Sequence, residues 1–481
     1  MAVTVQNKEN LRDAFKKFVN LPKNDQERLI ALEDCIFFGE KYIKPYDAKW
    51  TSKTAQFHRE MINDIFTYKR VQIHVPFEHA KSTWISIVFP LWQICKNHDV
   101  QILLIGSTPK LVLKCLQTIT WHIEHNKLLK RDFPKLKKDE QINKWTDTQI
   151  YVKRESRGKD PTIEVTSLGG TILGGRFDFI IGDDVCDKKN MNTKNLRDKA
   201  WEIWKDDVTS RCVEDGHIAN IGTLQHKDDL GVRLGKSKTY HYIRRQAIID
   251  EQKKITLWPD RFSYERLMEI KKDIGSILFL KSYQNEIKSL TGGMFSPDWL
   301  HYYDEDKIDI SQLRIYFGVD LDIAEEGILE EEKSSHSWFV IAVLGWHPLL
   351  NLIYVLKTYY DVLSFPQQIQ QLHMHTNLYS PIKMGIEEVY YQKALKQQAF
   401  LEGLKAIGVK QTSSKHERIV ARSADYEIGR LRVHKSQIEL IHEFTSYPDD
   451  DVRNDVLDAV DIGCRLIPTR VRQAEVTGGK V

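Results

Sequence analysis

The chain is 481 residues long, about three times the roughly 150 residues of a typical domain, with 41% hydrophobic and 28% charged residues. That balance excludes a disordered chain and a small disulfide scaffold. Its longest apolar runs, at 338–346 and 349–356, fall well short of the roughly 20 residues that a bilayer span requires. Lys and Arg number 70 against 67 Asp and Glu, a net +3, so any contact with a polyanion must come from a local patch.

Cys35, Cys95, Cys115, Cys186, Cys212 and Cys464 show no CxxC spacing and no His at ligand spacing, which predicts buried small hydrophobes in a reducing compartment. The first 30 residues are too charged for a secretory leader, so an intracellular protein is expected.

In the first half, β-type runs at 71–76, 101–105, 177–181, 217–221 and 240–249 are separated by helical stretches such as 84–96. This order predicts a mostly parallel sheet with helices on both faces. Residues 164–172 read as a hairpin or loop. The pattern changes between 250 and 296, where a domain boundary is expected. Three β runs follow at 315–321, 338–344 and 352–357, an antiparallel meander, then a helix at 365–375 and a strand at 382–387. A helix at 392–406, a hairpin at 426–433 with Gly429 at its tip, and helices at 437–444 and 455–466 complete the second half. The fold class is α/β in both halves.

The segment from Val75 to Thr83 (VPFEHAKST) follows a strand and opens a helix, the context in which backbone N–H groups, a Lys and a hydroxyl hold a nucleotide triphosphate and Mg²⁺. Val75 and Ala80 stand where glycines are usual. Lys81 would reach the β- and γ-phosphates, with Ser82 and Thr83 supplying hydroxyls. The strand at 177–184 (FDFIIGDD) ends in two carboxylates: Asp183 for the Mg²⁺ and Asp184 to orient or deprotonate the attacking water. Thr223 ends a further strand and could sense the γ-phosphate. Gln56 is a candidate adenine contact. An arginine finger could come from Arg131, Arg154, Arg157, Arg176 or Arg211, with Arg176 and Arg211 carried forward.

In the second half, Asp320 and Asp322 lie two apart on one strand, Glu387 ends the fourth strand, and Asp455 and Asp458 lie three apart on the last helix. Carboxylates drawn from two strands and a helix suit a pair of Mg²⁺ or Mn²⁺ ions that cleave a phosphodiester. Two basic segments are candidate phosphate grips: 127–159, with eleven basic residues against five acidic, and 410–432, with Lys415, Arg418, Arg422 and Arg430.

These motifs, in this order, resemble the large terminase subunit of tailed bacteriophages over nearly the whole chain. The likeness rests on the glycine-poor VPFEHAKST loop, the strand ending in Asp183-Asp184, Gly222-Thr223, Trp258-Pro259 leading to YQNEI at 283–287, the Asp320/Glu387/Asp455 set, and the spacing of Lys415, Arg418 and Arg422.

The resemblance implies an N-terminal P-loop NTPase domain at 1–250, a linker or lid at 251–294, a ribonuclease H-like nuclease domain at 295–467 and a polar tail at 468–481. It implies ATP with Mg²⁺ in the first domain and two Mg²⁺ or Mn²⁺ in the second. Catalytic roles would fall to Asp184, Asp320, Glu387 and Asp455, nucleotide binding to Gln56, Lys81, Ser82, Thr83, Asp183 and Thr223, and DNA binding to Lys415, Arg418 and Arg422.

The expected partners are double-stranded DNA, a small terminase subunit, the portal of a procapsid and further copies of the chain in a pentamer. The expected location is the host cytoplasm. Asp184 stands where many relatives place Glu, and His336-Ser337 stand where an acidic residue is often found, which moves auxiliary metal binding to Asp322 or Asp458. The competing readings are a DNA helicase or translocase whose second domain is not catalytic, and a recombinase-type nuclease whose first domain is structural.

Overall fold

The computed structural model describes residues 18–139, 145–155, 159–170, 175–191, 193–287, 294–320, 338–387, 398–410, 413–449 and 452–468. They belong to two compact units, Met1–Met268 with Phe279–Ile287, and Glu269–Leu278 with Lys288–Val481. The expected linker at 251–294 is therefore shared between the two, and residues 288–293 lie outside the described set, as does the tail from 469. Among the described residues no helix is long and apolar enough to cross a membrane.

The first unit is built on a seven-stranded sheet of β1 (Arg70–His74), β2 (Ile102–Gly106), β3 (Gln149–Ile150), β4 (Ile163–Ser167), β5 (Phe177–Asp183), β6 (Cys212–Gly222) and β7 (His241–Arg244). The order is β3-β4-β2-β5-β6-β1-β7, parallel throughout except for the β3–β4 edge. β2 is buried along its whole length, and the central strands read as continuous apolar runs because the sheet is covered on both faces. Two sequence expectations change here. Residues 163–167 form no hairpin but a strand paired in parallel with β2, from Ile102↔Ile163 to Gly106↔Ser167. The run at 240–249 is not one strand, because β7 stops at Arg244. Residues Ile248–Asp250 (β8) turn away to pair with Ile255–Thr256 (β9) in a separate ribbon.

The helix after β1 starts as a π-turn, Thr83–Val88, and becomes α-helical at Phe89–Lys96. Pro90 accounts for the change. It has no N–H to give to the preceding turn, and a widened turn keeps its ring off the backbone carbonyls behind it.

The second unit holds a mixed sheet of β10 (His301–Tyr302), β11 (Arg314–Asp320), β12 (Phe339–His347), β13 (Leu352–Asp361), β14 (Lys383–Glu387), β15 (Ala406–Val409) and β16 (Leu431–Val433), in the order β10-β16-β13-β12-β11-β14-β15. β11, β12 and β13 form the expected antiparallel meander, and β14 lies parallel to β11. Alternate residues feed two cores. Tyr316, Val340, Ala342 and Leu344 pack under helices Lys415–Glu427, Ile438–Ser446 and Asp455–Cys464, whereas Phe317, Val319, Ile341 and Val343 face helix Phe365–Tyr379.

Here too the sequence reading is corrected. Residues 426–433 form no hairpin: a helix runs to Glu427, Gly429 (φ 71°) turns the chain, and β16 joins β13 in parallel. Ala406 opens β15 rather than closing a helix, and residues 388–397 lie outside the described set.

Candidate active sites

In the first unit, β1, β5 and β6 run side by side, and their carboxyl ends carry the segments singled out in the sequence. Such an edge is where open α/β sheets gather ligand groups. After β1 the chain makes a tight loop in which two non-glycine residues, Glu78 (φ 58°) and Ala80 (φ 57°), adopt left-handed backbone. Ala80 takes this conformation at one of the positions where glycine is usual, at a strain cost of order 1 kcal/mol. The loop delivers Lys81, whose Nζ lies 2.8 Å from the Asp184 carboxylate and donates to Thr223 Oγ1 at 3.1 Å.

Asp184 is itself left-handed (φ 44°) and accepts the Thr223 N–H at 3.0 Å. Ser82 and Ser86 donate their hydroxyls to the two oxygens of Asp183, at 3.0 and 2.7 Å. Burial, and then the neighbouring Asp184 charge, push the Asp183 carboxyl up to about 6, although Lys81 and the two serines pull the other way. A buried carboxylate that accepts from two serine hydroxyls has the chemistry of a hard divalent-ion shell.

These residues open on a cleft of about 400 Å³ whose lining includes Lys81, Ser82, Thr83, Asp184, Trp50, Trp258 and Arg261. Gln56 is not part of that lining; it is exposed at the start of helix Gln56–Thr67. Arg176 and Arg211 are also elsewhere. They precede β5 and β6, at the opposite edge of the sheet from Lys81, where Arg176 donates to the Ser210 carbonyl at 2.8 Å. Of the other arginines considered, Arg131 is held by Asp132, Arg154 by Asp160 and Thr162, and Arg157 lies outside the described residues.

Trp50 and Arg261 are among the cleft residues that sequence reasoning missed, and Trp258, named there only for its place ahead of YQNEI, lines the cleft with them. Trp258 Nε1–H donates to the Lys53 carbonyl at 2.7 Å, and Lys53 N–H donates to Asp260 at 2.7 Å, which ties the 258–261 segment to the 50–53 segment across the cleft. The buried Asn285 of YQNEI accepts from Leu224 N–H at 3.0 Å, and so steadies the turn just after Thr223.

In the second unit, Asp320 ends β11 and Glu387 ends the adjacent parallel strand β14. Asp458 comes from helix Asp455–Cys464, which lies against β11 at Gly318. A Cβ there would overlap the Ala459 carbonyl and the Gly463 nitrogen, so glycine at 318 is what lets helix and strand backbones touch. Asp320, Glu387 and Asp458 thereby offer carboxylate oxygens within 4.8 Å of one another, a set of three that fits a divalent cation.

Asp455, named in the sequence as the third ligand, stands beside this set with both oxygens engaged. Lys415 Nζ donates to Oδ1 at 2.7 Å, and Trp338 N–H donates to Oδ2 at 3.1 Å. Asp458, the auxiliary candidate, completes the set although Arg418 donates to both of its oxygens as well; Asp322 lies outside the described residues. Burial, helped by the Asp458, Asp455 and Glu387 charges and opposed by Lys415, pushes Asp320 up to about 7.

The basic residues of helix Lys415–Glu427 are engaged by carboxylates of the same unit, with Lys415 still a third exposed. Lys415, Arg418 and Arg422 lie on one face of that helix and meet Asp455, Asp458 and Asp461 on the other in successive ion pairs of 2.7, 2.6 and 2.9 Å. Arg418 reaches both oxygens of Asp458 and is buried, so it is unavailable to DNA; Arg422 is also largely covered. Glu443, which no sequence signal marked, is fully buried and accepts from Val456 and Leu457 N–H at 3.2 and 2.9 Å. It caps the helix that carries Asp455 and Asp458, and burial pushes its carboxyl up to about 8.

No family model and no curated protein matches the chain. Among solved structures, the large terminase of a thermophilic bacteriophage aligns with 86% of this chain and 100% of its own length, at 10% identity and a TM-score of 0.51. The fold is that of a large terminase. The same phage protein in complex with ATP-gamma-S aligns over 85% of this chain and 98% of its own, at 12% identity and a TM-score of 0.47. The large terminase nuclease of thermophilic phage G20c with bound zinc covers 35% of this chain and 95% of its own, at 11% identity and a TM-score of 0.28.

Within the terminase fold, the two clusters occupy separate units, one at the carboxyl edge of the parallel sheet and one where β11 and β14 end beneath a helix.

Proposed function

We propose that the chain is a DNA-packaging enzyme whose first unit hydrolyses ATP to drive double-stranded DNA into a procapsid and whose second unit cuts that DNA with divalent metal. The observation that carries this reading is the presence, in one chain of terminase fold, of a lysine–serine–aspartate nucleotide cleft and a separate three-carboxylate set. The reading includes a small terminase subunit, a portal and a pentamer as partners, and the host cytoplasm as the place of action.

At the first site, Lys81 would leave Asp184 for the β- and γ-phosphates as nucleotide enters. That exchange frees an Asp184 oxygen to take the proton of a water attacking the γ-phosphorus, while Thr223 N–H keeps the other oxygen oriented. Ser82 and Asp183 would hold the magnesium, which supplies charge neutralisation at the phosphates. Trp50 and Trp258 offer apolar faces to the base.

At the second site, a cation held by Asp320, Glu387 and Asp458 would supply Lewis-acid activation of water and phosphate. The carboxylates place it, and the chain around Gly318 fixes their spacing. DNA is gripped away from Arg418, by exposed lysines such as Lys127, Lys130, Lys135, Lys137 and Lys153 of the first unit.

The test is a pair of variants assayed for both reactions. Asp320→Ala should abolish Mn²⁺-dependent plasmid cleavage and spare ATP turnover, and Lys81→Ala should do the reverse. A helicase with an inert second unit predicts no plasmid cleavage to lose, and that result would overturn the nuclease half.

A further inference from the structure

The cationic side chains in the lining of the first unit's cleft are Lys49, Lys81 and Arg261. Lys81 is held by Asp184 at 2.8 Å and by Thr223 at 3.1 Å, and Lys49 is exposed on the 47–52 segment. Arg261 is placed differently. Among the described residues its guanidinium has no hydrogen-bond or ion-pair partner; it lies over the rings of Trp258 and Phe262, 5.4 and 5.7 Å from their centroids. The acid next to it in sequence, Asp260, is committed elsewhere and accepts the Lys53 N–H at 2.7 Å.

The segment that carries Arg261 is fixed. Arg261 N–H and Phe262 N–H both donate to the Trp258 carbonyl, at 3.1 and 2.8 Å, which folds 258–262 into a tight turn. Trp258 Nε1–H donates to the Lys53 carbonyl at 2.7 Å, and the Phe262 ring stacks on His79, 4.5 Å away and 5° from parallel. His79 stands two residues before Lys81 on the same loop. The turn is therefore pinned to the 50–53 wall through Trp258 and to the 75–83 loop through Phe262, both of them buried. A guanidinium can stack on aromatic faces and still present its planar fork of N–H donors to phosphate, so the two rings orient Arg261 without consuming its donors.

Its position also separates it from the reacting end of the cleft. Asp184 lies on the Lys81–Thr223 side. Arg261 belongs to the Trp258–Phe262 side, against His79. Burial is the main reason that His79 is pulled down to about 3, and the His58, Lys81 and Arg261 charges add to it, which puts Arg261 within electrostatic reach of the loop. A triphosphate threaded along that loop, with its γ-phosphate toward Asp184, brings its inner phosphates past the Arg261 wall.

We propose that Arg261 binds the α- and β-phosphates of the nucleotide in its own chain, sharing the polyphosphate charge with Lys81, and that it holds ADP as it holds ATP. This rests on the nucleotide-hydrolysis reading above and adds a residue to it. Arg261 is a binding residue for substrate and product, not a group that acts on the attacking water.

The test measures nucleotide affinity and turnover of the full chain, by calorimetric titration with ADP and with ATP-gamma-S and by steady-state ATP hydrolysis. Arg261→Met should weaken both nucleotides by about 10–100-fold, the scale of a lost charge-assisted hydrogen bond. Its kcat at saturating ATP should fall by less than the affinities do. Arg261→Lys, which keeps a charge but not the fork, should bind both nucleotides at least about fivefold better than Arg261→Met. Unchanged ADP affinity in Arg261→Met overturns the proposal, because an arginine that only packs on Trp258 and Phe262 leaves it so. A fall in kcat larger than the fall in affinity also overturns it, as the pattern of a group acting in the transition state. So does an Arg261→Lys chain as weak as Arg261→Met, since stacking and not charge would then be what is lost. These three results leave the nucleotide reading standing, whereas an unsubstituted chain that binds neither nucleotide overturns both. Where Arg261→Met fails to fold, as judged by its thermal transition, Arg261→Gln carries the same comparison.

Discussion

Gly318 of β11 lies against the backbone of Ala459, with no room between them for a β-carbon. Asp320 is two residues from Gly318 on the same face of the strand, and Asp458 is the residue before Ala459, so this one contact sets the separation of two carboxylates. Gly318→Ala would push helix Asp455–Cys464 away from the sheet. The expected result is a second unit destabilised by about 1–3 kcal/mol, as for other overpacked cores. Its Mn²⁺ affinity should fall at least about tenfold if Asp320 and Asp458 are spread by as little as an ångström. Thermal denaturation and Mn²⁺ titration of the full chain check both. A variant with wild-type metal affinity would show that the glycine contact does not set the site.

Lys81 and Asp184 predict a second outcome. Their 2.8 Å ion pair lines the cleft, so on the proposed function nucleotide displaces it. Asp184→Asn removes both the proposed general base and the competitor for Lys81. ATP turnover should drop by about 10²–10³-fold, the scale of losing a positioned acid–base group, while ATP binds no more weakly than before. Lys81→Ala should lose binding and turnover together. Equilibrium binding of a fluorescent ATP analogue separates the two variants; equal loss of affinity in both would contradict the displacement.

Much of this was legible from the sequence, for physical reasons. Lys81, Ser82, Asp183, Asp184 and Thr223 sit at the ends of apolar strands, and parallel neighbours bring such ends to one edge. The same logic placed Asp320 with Glu387. What failed was anything set by the packing of helix on helix or loop on loop. Spacing alone could not tell Asp455 from Asp458, because both occupy one helical face; only the packing shows that Asp455 meets Lys415 and Trp338 while Asp458 meets Arg418 and converges with Asp320 and Glu387. Arg418 and Arg422 read as a basic surface because their partners, Asp458 and Asp461, are 40 and 39 residues away. Trp50 and Arg261 carry no local motif at all. Their shared cleft exists only because Asp260 and Trp258 bond back to Lys53.

The Arg418–Asp458 pair gives a stability prediction. Both side chains are almost wholly buried, and Arg418 also lies 3.8 Å from Glu387. Arg418→Met would leave the buried Asp458 with only Lys415, 3.9 Å away, as a cationic neighbour, a loss of up to about 3–5 kcal/mol. A divalent ion on Asp320, Glu387 and Asp458 would restore part of that charge balance. Mn²⁺ should therefore raise the Tm of Arg418→Met by more than it raises that of the unsubstituted chain. A surface, DNA-gripping Arg418 would give neither the drop in Tm nor the metal-dependent recovery.

The final prediction concerns acid pH and the first unit. His58 is fully buried. Its Nδ1 accepts Ala55 N–H at 3.1 Å, and its Nε2–H donates to the His79 carbonyl at 3.2 Å. A proton added to Nδ1 would confront the Ala55 donor. Burial pulls His58 down to about 4, and Arg245 adds to the effect; His79, also buried and near Lys81 and Arg261, is pulled down to about 3. Both histidines are neutral in the folded chain and take up protons more readily when unfolded, where their ordinary value is 6.5. Their contribution to stability is therefore complete above pH 6.5 and is lost as pH falls toward about 4, by up to roughly 3 kcal/mol for His58. Asp183, raised to about 6, works in the opposite sense and softens the slope without reversing two histidines. His58→Gln should flatten the fall of the first unit's Tm between pH 6.5 and 4.5 by close to one proton's worth. An unchanged pH slope in that variant would show that His58 is not what makes the first unit acid-sensitive.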